Sequence, residues 1–288
     1  MTEALAVQLH DLYREPSKHH GYQSVPDFVT AAIDYREPID QGWRGDRCRL
    51  HYLLHAIPFD RLTTVTDIGA NTGYFALSLA HAFPHLAVTA CEPDRQHAKF
   101  IRTIASAFSL ANLDVIPKSV SLRSLSGFQT KDAALLLNVL HHAGYDFDTD
   151  LPRNKAAFTE YAIDYLSALS AKRQYLFFQM GSNWGGDTSN PLVPRDAHLE
   201  KLRYFASLLV NGGWTICRVA YPTRVDGRVE YRDLPEMVTG ALNDDPEGVF
   251  DEVLTVGLRG FDFDQFPGEF YRRPLFTCVS THPVPHIA

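Results

Sequence analysis

A β-branched run, Thr63-Thr64-Val65-Thr66, leads into Asp67-Ile68-Gly69-Ala70-Asn71-Thr72-Gly73 and then into Tyr74-Phe75-Ala76-Leu77-Ser78-Leu79-Ala80. The first part reads as a strand, the second as a tight loop with two spaced glycines, and the third as a helix. Gly69 and Gly73 permit backbone torsions and a close ligand approach that a Cβ would obstruct, and the following helix opens with its N–H groups turned into the loop. A ligand belongs there. Dinucleotide enzymes bring backbone against a pyrophosphate through G-x-G-x-x-G, but here Asn71 holds the second glycine position and Tyr74 the third. Asp67, just before the loop, would repel a phosphate and suits an ammonium or sulfonium.

One strand later, residues 86–91 run into Glu92-Pro93-Asp94. An acid at this place, about twenty residues after the loop, can take a ribose diol in a bidentate hydrogen bond. The stretch 63–80 resembles motif I of the class I S-adenosylmethionine (SAM)-dependent methyltransferases, a hydrophobic strand ending in D-x-G-x-x-x-G, and Glu92 matches the acid that holds the SAM ribose in that family. The resemblance implies an α/β, Rossmann-like sheet, mostly parallel with an antiparallel last strand and helices on both faces. It implies S-adenosyl-L-methionine as cofactor and S-adenosyl-L-homocysteine as product. The cofactor-binding residues it implies are Asp67, Gly69, Ala70, Asn71, Gly73, Tyr74, Phe75, Glu92 and Pro93, then Ser119 after the third strand and Asn138, Val139 and Leu140 at the end of the fourth. A narrower resemblance covers only Trp43-Arg44-Gly45-Asp46, which is similar to a W-R-S-D-like segment before motif I in the tRNA wobble-uridine carboxymethyltransferases. It implies that Trp43 and Arg47 lie near cofactor or substrate.

In chain order, residues 1–45 hold short helical patterns, at 5–13 and 27–33, and form a helical extension or lid; residues 46–288 form the methyltransferase domain. An apolar helix spans 50–57. Ala98, Ile101, Ile104 and Phe108 recur at the spacing of an amphipathic crossover helix before a short third strand at 113–116. A buried fourth strand at 133–140 ends in His141-His142. A helix at about 155–170, a fifth strand at 174–180, the glycine-rich loop 181–187, a helix at 197–210 and a sixth strand at 215–220 follow. The apolar segment 274–280 is the best candidate for a last strand antiparallel to the sixth. Between these two lies an insertion, about 223–272, with a helix near 249–258 and an aromatic run, expected to cover the substrate side.

Ligands of open α/β sheets bind beyond the carboxyl ends of the strands. His142, or its neighbour His141, is therefore the candidate general base if the acceptor is a hydroxyl. Trp43, Trp184, Tyr271 and Arg272 are candidate substrate contacts, an arginine fork suiting an anionic or sugar-like acceptor. Thirteen histidines supply no H-x-x-x-H helix or carboxylate cluster at ligand spacing, so no metal is expected.

The chain has 288 residues, 45% of them hydrophobic, and a formal net charge of -7. That balance argues against a nucleic-acid partner, which would need a local basic patch, and favours a small-molecule substrate. Four scattered cysteines without a C-x-x-C pair read as buried thiols in a reducing cytoplasm, and no stretch has the length and apolarity of a membrane span. Assembly as a homo-oligomer is left open. The expectation is a SAM-dependent methyltransferase acting on a small molecule, at oxygen before nitrogen. The rivals are a tRNA- or RNA-modifying methyl or carboxymethyl transferase of the same fold and a non-catalytic SAM-binding protein.

Overall fold

The computed structural model describes residues 5–7, 24–33, 45–150, 154–266 and 268–282. Trp43 and most of the expected 1–45 extension lie outside the described residues. The chain forms two compact units, one ending at Ser119 and one beginning at Val120.

In the first unit, strands β1 (Thr64–Ile68), β2 (Ala87–Cys91) and β3 (Leu113–Ile116) lie in the order β3-β2-β1, all parallel. Helices α1 (Asp27–Ile33), α2 (Asp46–Ala56), α3 (Tyr74–Ala82) and α4 (Arg95–Ala107) accompany them. β1 and β2 are buried along nearly their whole length, as strands covered on both faces must be. Asp94 caps α4 by accepting from the backbone N–H groups of Gln96 and His97. The side-chain amide of Asn112 donates to the carbonyls of Ala80, Phe83 and Leu86 at 2.9 to 3.1 Å, closing the C-terminal end of α3. Because Ile68 pairs with Cys91, the residues leaving β1 and β2 emerge side by side.

The second unit holds β4 (Lys131–Leu137), β5 (Arg173–Gln179), β6 (Trp214–Val225), β7 (Arg228–Asp233) and β8 (Leu275–Ser280) in the order β4-β5-β8-β6-β7. β4 and β5 are parallel, and every other pairing in this unit is antiparallel. Its helices are α5 (Leu122–Leu125), α6 (Lys155–Ser170), α7 (His198–Asn211), α8 (Glu236–Asp244) and α9 (Asp251–Gly257). The expected C-terminal strand is present as β8, antiparallel both to β6, as anticipated, and to β5.

The insertion differs from expectation. β6 does not stop at 220 but continues to Val225, turns through Asp226 (φ 49) and Gly227 (φ 78) and returns as β7. Pro222 disguised the extension, since proline in a strand removes a ladder donor. It is tolerated because the β6–β8 register ends at Ala220, so beyond it β6 pairs only with β7. The helix α8, with Gly240 in its interior, was also unforeseen. The fourth strand ends earlier than expected, and Leu140–His142 forms a 3-10 turn.

Candidate active site

The loop after β1 is sewn to the end of β2 by backbone. The N–H groups of Gly69 and Ala70 donate to the Cys91 carbonyl at 2.9 and 3.1 Å, and that of Gly73 donates to Ala70 at 2.8 Å. Gly69, Asn71 and Gly73 all have positive φ (71, 53 and 84), the region that favours glycine and tolerates asparagine. A Cβ on Gly73 would stand 2.6 Å from Cγ1 of Ile101. Glu92 completes the stitching: Oε2 accepts from the Asn71 N–H at 2.7 Å and Oε1 from the Asp94 N–H at 2.8 Å. A carboxylate oxygen has two lone-pair sites, so each oxygen can also take a hydroxyl. Burial pushes Glu92 up to about 7, against the two backbone donors, and the nearby charges of Asp94 and Asp67 push the same way.

Asp67 is 3% exposed, and its Oδ2 has no hydrogen-bond partner. Burial pushes it up to about 7, opposed by the Ala76 backbone and by the charge of Arg49. An unsatisfied buried carboxylate oxygen is costly unless something cationic or donating reaches it. The carboxylate, the glycine bend and the two-oxygen acceptor of Glu92 fit an S-adenosyl ligand, whose amino-acid end carries an ammonium and whose ribose carries a diol. Asp67, Gly69, Ala70, Asn71, Gly73 and Glu92 are thus brought together. Tyr74 and Phe75 pack inward in the first turn of α3, whereas Pro93 and Ser119 are exposed. Arg47 is exposed and paired with Asp27 at 2.7 Å. Sequence reasoning missed Asp46 and Arg49, a buried pair on α2; two charges three apart at the start of an apolar helix were the available signal.

In the second unit, Asn138, Val139, Leu140, His141 and His142 follow β4 in succession. Asn138 adopts φ 61, and its side chain is engaged: Nδ2 donates to Gln179 Oε1 at 2.9 Å, and Oδ1 accepts from Arg273 Nη1 at 2.7 Å. Arg273 also binds Glu269 at 2.6 Å. Arg272 turns instead to Asp196 and Asp264, so the next arginine along is the one that reaches the end of β4. Its contact partner is 135 residues away in the chain, and no local pattern announces it. Tyr271 is buried and stacked on Phe266.

The two histidines divide their roles. His141 is buried, and its Nδ1 accepts the Gly181 N–H at 3.3 Å, which places any proton of the neutral ring on Nε2. His142 is partly exposed, with Nδ1 2.9 Å from Asp146 Oδ2. The loop 181–187 packs on this segment. Trp184 is buried, donates its indole N–H to the Ala143 carbonyl at 2.7 Å and stacks edge-on with Tyr145. The Trp184 indole N–H is thus spent on the fold. Among the described residues no group of histidines, cysteines and carboxylates is arranged to hold a metal, and no helix is long and apolar enough to cross a membrane.

No family model matches the chain. Over 60 residues, 21% of this chain and 25% of the relative, it is 32% identical to the ribosomal RNA small subunit methyltransferase G of Bacillus velezensis. A 2.2 Å crystal structure of WbdD superposes on 96% of this chain with a TM-score of 0.53 at 15% identity. A second structure, of the bifunctional kinase-methyltransferase WbdD, superposes on 96% with a TM-score of 0.51 at 17% identity. The chain spans about half the length of WbdD, 47% and 46% of the two chains. From its strand order, the glycine bend after β1 and this likeness along nearly its whole length, the chain has the Rossmann-like α/β fold of the class I methyltransferases.

Proposed function

We propose that the chain is a SAM-dependent methyltransferase that methylates a small molecule, at a hydroxyl in preference to an amine. The observation that carries this reading is the buried, unpartnered Oδ2 of Asp67 beside a glycine bend stitched to Glu92. When bound, the cofactor supplies an electrophilic methyl group on a sulfonium. Asp67 would hold its ammonium, Glu92 its ribose hydroxyls, and the bend would give the nucleoside room. Positioning accounts for much of the catalysis in such a displacement. We assign the base for a hydroxyl acceptor to His142, whose Nδ1 lies 2.9 Å from Asp146 Oδ2, so that the ring has a carboxylate beside it once it has taken the proton. His141, already accepting from backbone, holds the loop 181–187 in place.

The 60-residue match to a protein named as an rRNA methyltransferase supports a second reading, an RNA acceptor. Incubating metabolite and bulk-RNA pools with the protein and isotope-labelled SAM, then searching each pool for the labelled methyl group, separates the two. Label in a metabolite is expected. Label in RNA alone would replace the first reading by the second, and label in neither pool, with SAM bound, would leave a binding protein. Calorimetry with SAM and NAD tests the cofactor itself, and tighter binding of NAD would end the proposal.

A further inference from the structure

His198, the first residue of α7, stacks on Phe263 with ring centroids 3.7 Å apart and the planes inclined by 14°. Phe263 is inclined by the same 14° to Phe261, at 6.3 Å. All three rings are partly exposed and line an open groove of about 660 Å³ between the start of α7 and α9 with the segment after it. Tyr221, fully buried on β6, sets its ring edge-on to the three at 5.0 to 6.1 Å and supports them. Aromatic faces of like orientation, gathered in a concave place and left partly bare, suit a flat apolar ligand.

The sheet sets this groove at the end where chemistry is expected. β8 is antiparallel to both β5 and β6, so β4, β5 and β6 run one way. Arg272 and Arg273 come just before β8 and therefore stand at the carboxyl ends of β5 and β6. Arg272 pairs with Asp196 on the rim of the groove, and Arg273 reaches Asn138, shortly before His142. Two adjacent residues thus join the groove to the end of β4.

The rim is charged, but its charges cancel. Asp196 is matched by Arg272 and Asp251 by Arg203, while Glu200 and Arg259, both exposed, add one charge of each sign. His198 stays neutral, because burial and the charges of Lys201 and Arg272 push it down to about 4 against the pull of Asp196 and Asp264. A phosphate-bearing ligand would find no net positive charge here. Nδ1 of His198 is buried without a partner, and a hydroxyl, which both donates and accepts, can serve it in either tautomer.

We propose that this groove holds the neutral, planar aromatic body of a hydroxyl-bearing acceptor against His198, Phe261 and Phe263. This acceptor class refines the function proposed above and rests on it. Ligand-observed NMR titrations would compare 2-naphthol, its saturated counterpart decahydro-2-naphthol and adenosine 5′-monophosphate on the wild type, Phe261→Leu and Phe263→Leu, each variant first checked by circular dichroism and thermal melting. The wild type is expected to prefer 2-naphthol to either of the others by about 10-fold, and each leucine variant to lose about 5-fold for 2-naphthol but less than about 2-fold for the saturated alcohol. Equal losses for the two alcohols, or equal binding of both by the wild type, would overturn the assignment, as would tighter binding of the monophosphate. Should the leucine variants fail to fold, Thr255→Trp decides: it fills the groove from an exposed position on α9, and unchanged affinity for 2-naphthol would sink the proposal. SAM titrated on the same samples separates the two readings. SAM bound without 2-naphthol removes the groove assignment alone, whereas 2-naphthol bound without SAM removes the transferase reading and the acceptor role with it.

Discussion

Asp67 is placed where a carboxylate works against the stability of the protein that carries it. Burial raises both Asp67 and Glu92 to about 7, so between pH 4 and 7 the folded chain keeps protons that the unfolded chain has released. The stabilisation from holding those protons is complete below about pH 4 and is lost as pH climbs through 7. A cation in the bend reverses that trend, because it favours the ionised acids. SAM affinity is therefore expected to rise from pH 6 to pH 8, and the binding enthalpy to vary with the buffer as protons are released; an affinity flat across this range would contradict the account. Asp67→Asn is expected to stabilise the ligand-free protein at pH 8 by about 1–3 kcal/mol, in denaturant unfolding, while weakening SAM at least 10-fold. His142→Ala, by contrast, is expected to lower kcat by about 10²–10⁴ and leave SAM affinity unchanged, whereas a comparable kcat would return the base to another group. Asp67, Gly69, Gly73 and Glu92 were legible because loop and acid recur at a fixed spacing. Arg273 was not, since it reaches Asn138, 135 residues away, through a contact that no spacing rule identifies.

Elements whose signal is periodic were read closely. Residues 113–116 and 155–170 are a strand and a helix at the bounds expected, because an apolar face and a polar start fix both ends. The β6–β7 hairpin escaped because Pro222 obscured the strand, although Asp226-Gly227 is the dipeptide that two-residue hairpin turns favour. Two glycines separate the physics of such turns. Gly227 has φ 78 and nothing within 4 Å of an added Cβ, so Gly227→Ala carries backbone strain alone, about 1 kcal/mol. Gly73 has φ 84 and Ile101 Cγ1 at 2.6 Å, so Gly73→Ala adds overpacking and is expected to cost about 2–4 kcal/mol. Urea titration of the two variants measures the difference, and equal losses would show that Ile101 yields without cost. The same logic applies at Gly181, where a Cβ would meet His141 Nε2 at 2.6 Å.

At the scale of the molecule, a net charge of -7 sets the expected response to polyanions. Binding to bulk tRNA is expected to be undetectable by mobility shift at about 0.15 M salt, and a tight, salt-sensitive complex would favour the RNA acceptor. What the sequence conveyed poorly at this scale is the insertion, because its course depends on contacts between distant segments. Arg232 lies over the Phe261 ring at 4.3 Å and donates to the Gly260 carbonyl, joining the hairpin to a turn that follows a helix.

Among the described residues β7 is the last strand in the order of its unit, with Arg228, Glu230 and Arg232 exposed along it and Val229 and Tyr231 only partly covered. Open ladder groups invite a neighbouring chain to add a strand, and charges projecting beside them make such accretion unfavourable. The alternate charges of this single strand are therefore expected to disfavour fibril-like stacking on that side. Neutral β-formers at positions 228 and 230 would remove it, and turbidity on prolonged storage would be the symptom.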